Sequence, residues 1–308
     1  MNIESDGKHV FMYAYTLSNG AAWTSTVLFG AATVAHIGYM IPTRSWFFIP
    51  FILGGICETL GYCSRAWQAR EPTRASPYFL QLLLLLAAPT LLSATIYVSL
   101  GRAIRSLDAA SYAPLRPHHL TAIYVVIDVL ALASQLGGAA AQAASDAAVV
   151  AAGRKAVAAG LGVQLGALAL FVAAAARVHA RLEAGPTYLA LTLRWRRYVW
   201  AIEGAAGAVL VRNLVRLVEY GEGPRGFVAA HEVFLYVFDA LLMWAVMVGM
   251  LVCHPGQLVK TSMRRMEGIY SGTDMAACDL NPLKLDKERR CGGVKFFKSR
   301  RDDLTQKA

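Results

Sequence analysis

Apolar blocks of about 20 residues, separated by short polar connections, recur along the chain at 21–41, 46–66, 78–101, 120–142, 156–177, 198–218 and 230–252. A helix rising 1.5 Å per residue needs that length to cross a hydrocarbon core of about 30 Å. The pattern predicts an all-α integral membrane protein with a bundle of seven transmembrane helices over residues 21–252. A polar segment, 1–20, precedes the bundle, and a polar tail, 253–308, follows it. An Ala-rich stretch blurs the limits of the fifth block, so the residues ahead of it read as a loop and a helix start of biased composition. Pro89 removes a backbone donor in mid-helix and is expected to kink the third helix.

Polar residues inside these blocks are not scattered. Arg212, Arg216 and Glu219 fall at i, i+4 and i+7, one stripe on a helix, and Glu232, Tyr236 and Asp239 repeat that spacing on the next block. An antiparallel hairpin about the 221–226 turn would leave Arg212 and Asp239 each roughly 10 Å from the turn and at one depth. Arg216 would then lie near Glu232 and Tyr236. A charge at membrane depth costs at least about 2.5 kcal/mol, so these groups should face the protein interior and pair. The stripe fits two readings: an ion-pair network that locks two helices together, or a set of charges that contacts a substrate.

Other helices add to this interior. Glu58 and Arg65 are seven apart, hence on one face. Arg65, near a helix end, is expected to snorkel to head groups, whereas Glu58 has no such escape. Asp128, Gln135 and Gln142 form a heptad stripe on the fourth helix, with Gln81 and Gln164 on the third and fifth. Glu203 sits early in the sixth. The distribution suggests a polar cavity inside the bundle, widest toward the outer leaflet. Gly162 and Gly166 form a weak small-xxx-small signal for close helix approach. His36 reads as a packed or hydrogen-bonded residue with no metal partner in view.

Composition agrees with the blocks: 56% of the residues are hydrophobic and only 16% charged, outside the range of an ordinary soluble domain. Lys and Arg set the orientation. With the N-terminus outside, inner connections hold Arg44, Arg102, Arg105, Arg116, Arg177, Arg181, Arg194, Arg196 and Arg197, followed by Lys260, Arg264 and Arg265. Outer connections hold Lys8, Arg70, Arg74, Arg154, Lys155 and Arg225. The first residues lack a signal-peptide pattern, so the first helix is expected to be an uncleaved anchor. Half of the net charge of +10 comes from the tail, expected to be cytoplasmic and largely disordered. A basic stretch beside an inner leaflet suits anionic lipid head groups better than nucleic acid. This orientation leaves Cys57, Cys63, Cys253, Cys278 and Cys291 as free thiols.

Several chemistries lack their motifs. No G-x-x-x-x-G-K-[ST] loop is present to bind ATP phosphates. His231-Glu232 begins a zinc-protease pattern whose second His is missing, and the last helix has no lysine for a Schiff base. No paired nucleophile and base is visible. The chain therefore reads as a non-enzyme without a cofactor, and no protein partner is legible in it.

Taken in order, Glu58, Gly61, Tyr62 and Arg65; Gln81, Ala88, Pro89, Tyr97, Gly101 and Arg102; and Asp128, Gln135 and Gly137 form one series. It continues through Gly160 and Gln164; Arg212, Arg216 and Glu219; and Glu232, Tyr236, Asp239 and His254-Pro255-Gly256. The series resembles the fungal lipid-translocating exporter family, the RTA-like seven-helix membrane proteins, across all seven blocks. It departs from the family at Tyr15-Thr16-Leu17-Ser18, where a proline is expected. The resemblance implies a multi-pass protein, commonly of the plasma membrane, that exports or flips lipids or amphiphiles such as sphingoid bases. Family members are also linked to resistance to sterol-like toxins and to porphyrin uptake. The candidate substrate or translocation residues are Glu58, Arg65, Gln81, Asp128, Gln135, Gln164, Arg212, Arg216, Glu219, Glu232, Tyr236 and Asp239. Carboxylates would hold a cationic head, and the arginines would be counter-charges or would bind an anionic one. The alternative is a seven-helix lipid sensor signalling through its tail.

Overall fold

The computed structural model describes residues 17–280, apart from 73, 143, 224 and 225, with side chains as far as Glu267. Lys8, Tyr15, Thr16, Arg225, Cys291 and the rest of the tail from 281 lie outside the described residues, and the side chain of Cys278 is not described. Among the described residues every regular element is helical. The long helices are α1 (Asn19–Thr43), α2 (Ile49–Arg70), α3 (Ala75–Ser106), α4 (Pro117–Ala141) and α5 (Ala147–Ala184). After the short α6 (Tyr188–Thr192) comes α7 (Arg196–Glu222), and then two short turns of helix, α8 (Phe227–Ala230) and α9 (Glu232–Phe234). A π-helical turn, Leu235–Leu241, joins α9 to α10 (Leu242–Val252), and α11 (Pro255–Leu280) follows.

Among the described residues six stretches are long and apolar enough to cross a membrane: Asn19–Thr43, Trp46–Arg70, Ala75–Ser106, Pro117–Ala141, Ala147–Ala184 and Glu232–Glu267. The stretch expected as the sixth crossing, α7, is not among them. It has 27 residues, but Glu203, Arg212, Asn213, Arg216 and Glu219 lower its apolarity. The Ala-rich stretch is not a loop: α5 begins at Ala147, capped by Asp146, and its 38 residues extend about 57 Å. Alanine is the best helix former, so biased composition here prolongs a helix. Pro89 lies inside an unbroken α3.

Each of the helices α1 to α5 packs on the next, α5 packs on α7, α7 on α10, and α10 returns to α1. α3 also touches α7 and α11. Glycines set one of these approaches: a Cβ at Gly138 would lie 2.5 Å from the Gly153 carbonyl, and one at Gly160 would lie 2.8 Å from the Ala131 carbonyl. Gly162 and Gly166, the expected approach pair, meet nothing within 4 Å and face away from the neighbouring helices. The glycines that matter lie on the other face of α5.

One end of the bundle is closed by packing. His254 stacks on Phe48 at 4.1 Å, Arg102 lies 3.9 Å over the Phe47 ring, and Gln257 hydrogen-bonds the Tyr39 hydroxyl. His36 bonds the Met247 carbonyl through Nε2 at 3.0 Å. α11 starts at this end, where Leu258 is buried and Ser262 donates to the Ser106 carbonyl at 2.6 Å. The tail, expected to be largely disordered, thus begins with an ordered amphipathic helix, because its apolar positions find a face on α3.

Candidate functional site

The charged ladder lies between α2, α7 and the stretch from α9 through the π turn. α2 and the last helix run in opposite directions, so residues seven apart on each meet in pairs. Arg65 donates through Nη2 to Glu232 at 2.8 Å and through Nε to the Tyr236 hydroxyl at 3.1 Å. Tyr62, one turn below, stacks on Tyr236 with ring centroids 6.2 Å apart. One turn deeper, Glu58 stands within electrostatic reach of Asp239. α7 supplies the cations: Arg212 Nε and Arg216 Nη2 each reach one Asp239 oxygen at 2.5 Å. Arg216 also holds Glu219 at 3.0 Å, and Arg212 donates to the Leu85 carbonyl at 2.6 Å.

Arg212 and Asp239 therefore meet as the hairpin geometry predicts, but two other expectations are corrected. Arg216 turns to Asp239 and Glu219 instead of Glu232. Arg65 does not snorkel: it is 0% exposed and takes the place by Glu232 that Arg216 was expected to fill. The cause is α2, whose contribution a two-helix hairpin omits. Glu232 is also tied to the start of α1, where the Ser18 backbone N–H donates to both its oxygens at 3.1 Å.

Burying this many charges is tolerable because each cation has its carboxylate. Removing one partner of such a pair costs about 3–5 kcal/mol by stranding the other. The π turn carries Tyr236 and Asp239. Such turns insert one extra residue into a helix and are common at functional sites.

A cavity of about 160 Å³ opens beside the ladder, at the end of the bundle where α7 finishes and α9 begins. Its polar wall includes Gln81, Gln142, Arg154, Arg212, Arg216, Glu219 and Asp239; Leu82, Leu86, Val215, Phe234 and Phe238 are among its apolar groups. At its rim the chain turns after α7 at Gly223, whose φ of +84° suits glycine, with the Arg154 guanidinium against it. Glu58, Arg65, Glu232 and Tyr236 stand in the ladder outside the cavity lining.

The remaining predicted residues form a second, separate group. Gln135 donates to Gln164 at 3.0 Å, and Gln164 to the Thr90 hydroxyl at 3.0 Å, linking α4, α5 and α3. Asp128 is buried next to Tyr97 and Gln164. Glu203 is paired elsewhere, with His179 Nδ1 at 3.0 Å.

Tyr62 and Arg154 were not anticipated as site residues. Tyr62 was legible, since it falls between Glu58 and Arg65 on their face. Arg154 was not: from sequence it belongs to a loop, and only the early start of α5 brings it to the cavity. Among the described residues no three His, Cys, Asp or Glu side chains gather to hold a metal, and Cys57, Cys63 and Cys253 are free thiols.

The RTA1-like protein family model matches residues 51–262, a span that contains the ladder, the cavity lining and the second polar group. The Saccharomyces cerevisiae protein RTM1 is 29% identical over 283 residues, covering 79% of this chain and 91% of its own. Protoporphyrin uptake protein 1 of the same yeast is 33% identical over 202 residues, 65% of this chain and 66% of its own. The yeast sphingoid long-chain base transporter RSB1 is 25% identical over 268 residues, 76% of this chain and 70% of its own. No solved structure matches the chain. With its several membrane-length apolar helices and a family match across most of its length, this chain is a multi-pass membrane protein and belongs to the RTA1-like protein family.

Proposed function

We propose that the protein translocates lipids or amphiphilic molecules across the membrane, with the α2–α7–π-turn ladder and its cavity as the head-group site. One observation carries this reading: the cavity joins a buried ionic wall, Arg212, Arg216 and Asp239, to an apolar wall that includes Leu82, Leu86 and Phe238. An amphiphile needs both surfaces at once. The polar wall binds a head group by exchange with the internal ion pairs, while the tail stays among apolar side chains or lipid. Asp239, Glu232 and Glu58 serve a cationic head such as the amine of a sphingoid base; Arg212, Arg216 and Arg65 act as its displaced counter-charges. Gln81, Glu219 and Tyr236 orient the head group. Asp128, Gln135 and Gln164 belong to the path further along the bundle.

The relatives named as a sphingoid long-chain base transporter and a protoporphyrin uptake protein support an amphiphile as cargo. Export of sterol-like toxins, and with it resistance, follows from the same chemistry. In this reading α7 is the sixth of seven crossing helices, since its charges face inward to the ladder and need no lipid contact. In the same reading the protein sits in the plasma membrane with its N-terminus outside and its tail in the cytoplasm, Lys260, Arg264 and Arg265 lying against anionic lipid head groups.

The test is uptake and release of a labelled sphingoid base in cells expressing wild type, Glu232→Gln or Asp239→Asn at matched surface levels. Loss of transport in the variants is the expected result; unchanged transport would reduce these carboxylates to structural pairs. The docking of α11 on α3 favours a second reading, a lipid sensor that signals through its tail. In that case removing the residues after Lys260 abolishes the response while ligand binding and the ladder's pairs survive.

A further inference from the structure

Three arginines and four carboxyl groups share the ladder, and ion pairs use all of the first but only three of the second. Arg65 goes to Glu232, Arg212 and Arg216 converge on Asp239, and Arg216 also holds Glu219. The fourth carboxyl, Glu58, is 0% exposed, and neither of its oxygens has a hydrogen-bond partner among the described residues. The ionisable groups acting on it are Asp239 from the π turn and Arg212 and Arg216 from α7, with Tyr62 and Cys57 on its own helix. The two other helices packed on α2 present apolar or neutral groups to the turns on either side of it: Phe29 of α1 stacks on Tyr62 and Thr33 lies against Gly55, while Leu85 and Leu92 of α3 lie against Gly61 and Gly54. His36 of α1 is engaged by the Met247 carbonyl. A carboxylate ion in this place would lack both a donor and a cation of its own, which low-dielectric burial penalises heavily. A neutral carboxylic acid leaves the ladder balanced, with three positive and three negative charges.

We propose that Glu58 is a proton-binding site coupled to the arginine pair: a neutral acid while Asp239 holds Arg212 and Arg216, and an ion that claims those arginines once its proton has left. Asp239 lines the cavity and Glu58 does not, so Asp239 stands between Glu58 and the outside. The proton therefore leaves by way of Asp239 to water in the cavity. The extra residue of the π turn gives Asp239 room to turn away from the arginines while α10, packed on α1 and α7, keeps its place. A cationic head group that takes Asp239 frees arginine for Glu58 and expels its proton, so amine and proton exchange one for one. This last step rests on the translocator reading; the proton site itself does not.

The test is infrared difference spectroscopy of the full chain in lipid nanodiscs. Wild type is expected to show the carbonyl stretch of a buried protonated carboxyl, and Glu58→Gln to lack it. In Asp239→Asn the band is expected to vanish as well, because the two arginines now draw the charge onto Glu58. A spectrum with no band that Glu58→Gln removes would overturn the proposal, as would a band that survives Asp239→Asn. Glutamine copies the shape of the neutral acid and is expected to fold as wild type does; should it not, Asp239→Asn reads the coupling independently. The same protein in vesicles separates the two readings. The expected bands without amphiphile movement would keep the proton site and overturn translocation; movement without a Glu58 band would overturn the proton site alone.

Discussion

Asp239 bears the largest concentration of buried charge in the molecule, since one carboxylate serves two guanidinium groups that are themselves nearly inaccessible. Asp239→Asn keeps the side chain's size but removes the carboxylate that pairs with both Arg212 and Arg216, leaving them Glu219 and, once its proton has left, Glu58. We expect it to lower stability by up to about 3–5 kcal/mol, the cost of breaking a buried ion pair, less what ionised Glu58 restores. Glu232→Gln affects one arginine, Arg65, at the shallower end of the ladder, where Asp239→Asn affects two, and Arg65 keeps the Tyr236 hydroxyl, so the change is expected to cost clearly less. Thermal unfolding of the purified variants in detergent checks this order; equal midpoints would mean that the ladder's depth makes no difference. At this scale the sequence was informative where spacing alone decides the contact. Arg212 and Asp239 could be paired because both are counted from one turn. The partner of Glu232 could not, because Arg65 is 167 residues away and its burial depends on where α2 packs.

Helix boundaries and faces were less legible than helix existence. The Ala-rich region carries no contrast between polar and apolar positions, so periodicity cannot tell a loop from a helix there, and the early start of α5 that brings Arg154 to the cavity went unread. The glycines show the same limit: spacing picked Gly162 and Gly166, while the close approach of α4 and α5 is made by Gly138, Gly153 and Gly160. A motif of small residues says that a face could be approached, and only the neighbouring helix says which face is. Gly138→Leu is therefore expected to overpack the α4–α5 contact and cost about 1–3 kcal/mol, whereas Gly162→Leu, facing open space, should be nearly neutral. Unfolding midpoints of the two variants, measured side by side, decide it; the reverse order would contradict the packing described above.

For the whole molecule, the asymmetry between its ends matters most. One end is filled by aromatic rings, His254 and the docked start of α11, while the other holds the cavity and the ladder. In the proposed orientation, taken from the charge bias along the sequence, the open end faces outward. An impermeant thiol reagent on intact cells is expected to label Glu71→Cys, in the connection after α2, and to spare Asp108→Cys, after α3; the opposite pattern would invert the protein. At α7 the pattern of apolar blocks expects one more crossing than the helix's average apolarity supports. Its charges would be prohibitive facing lipid, yet they are directed at Asp239, Glu219 and the Leu85 carbonyl, so its surroundings matter more than its average composition.

The most direct measurement is movement of a labelled sphingoid base across vesicles that contain only the purified protein, wild type against Asp239→Asn. Wild type is expected to accelerate movement over protein-free vesicles, and the variant, at equal incorporation, is expected not to. Equal acceleration by both would contradict the ladder as the head-group site, and no acceleration by wild type would contradict translocation itself.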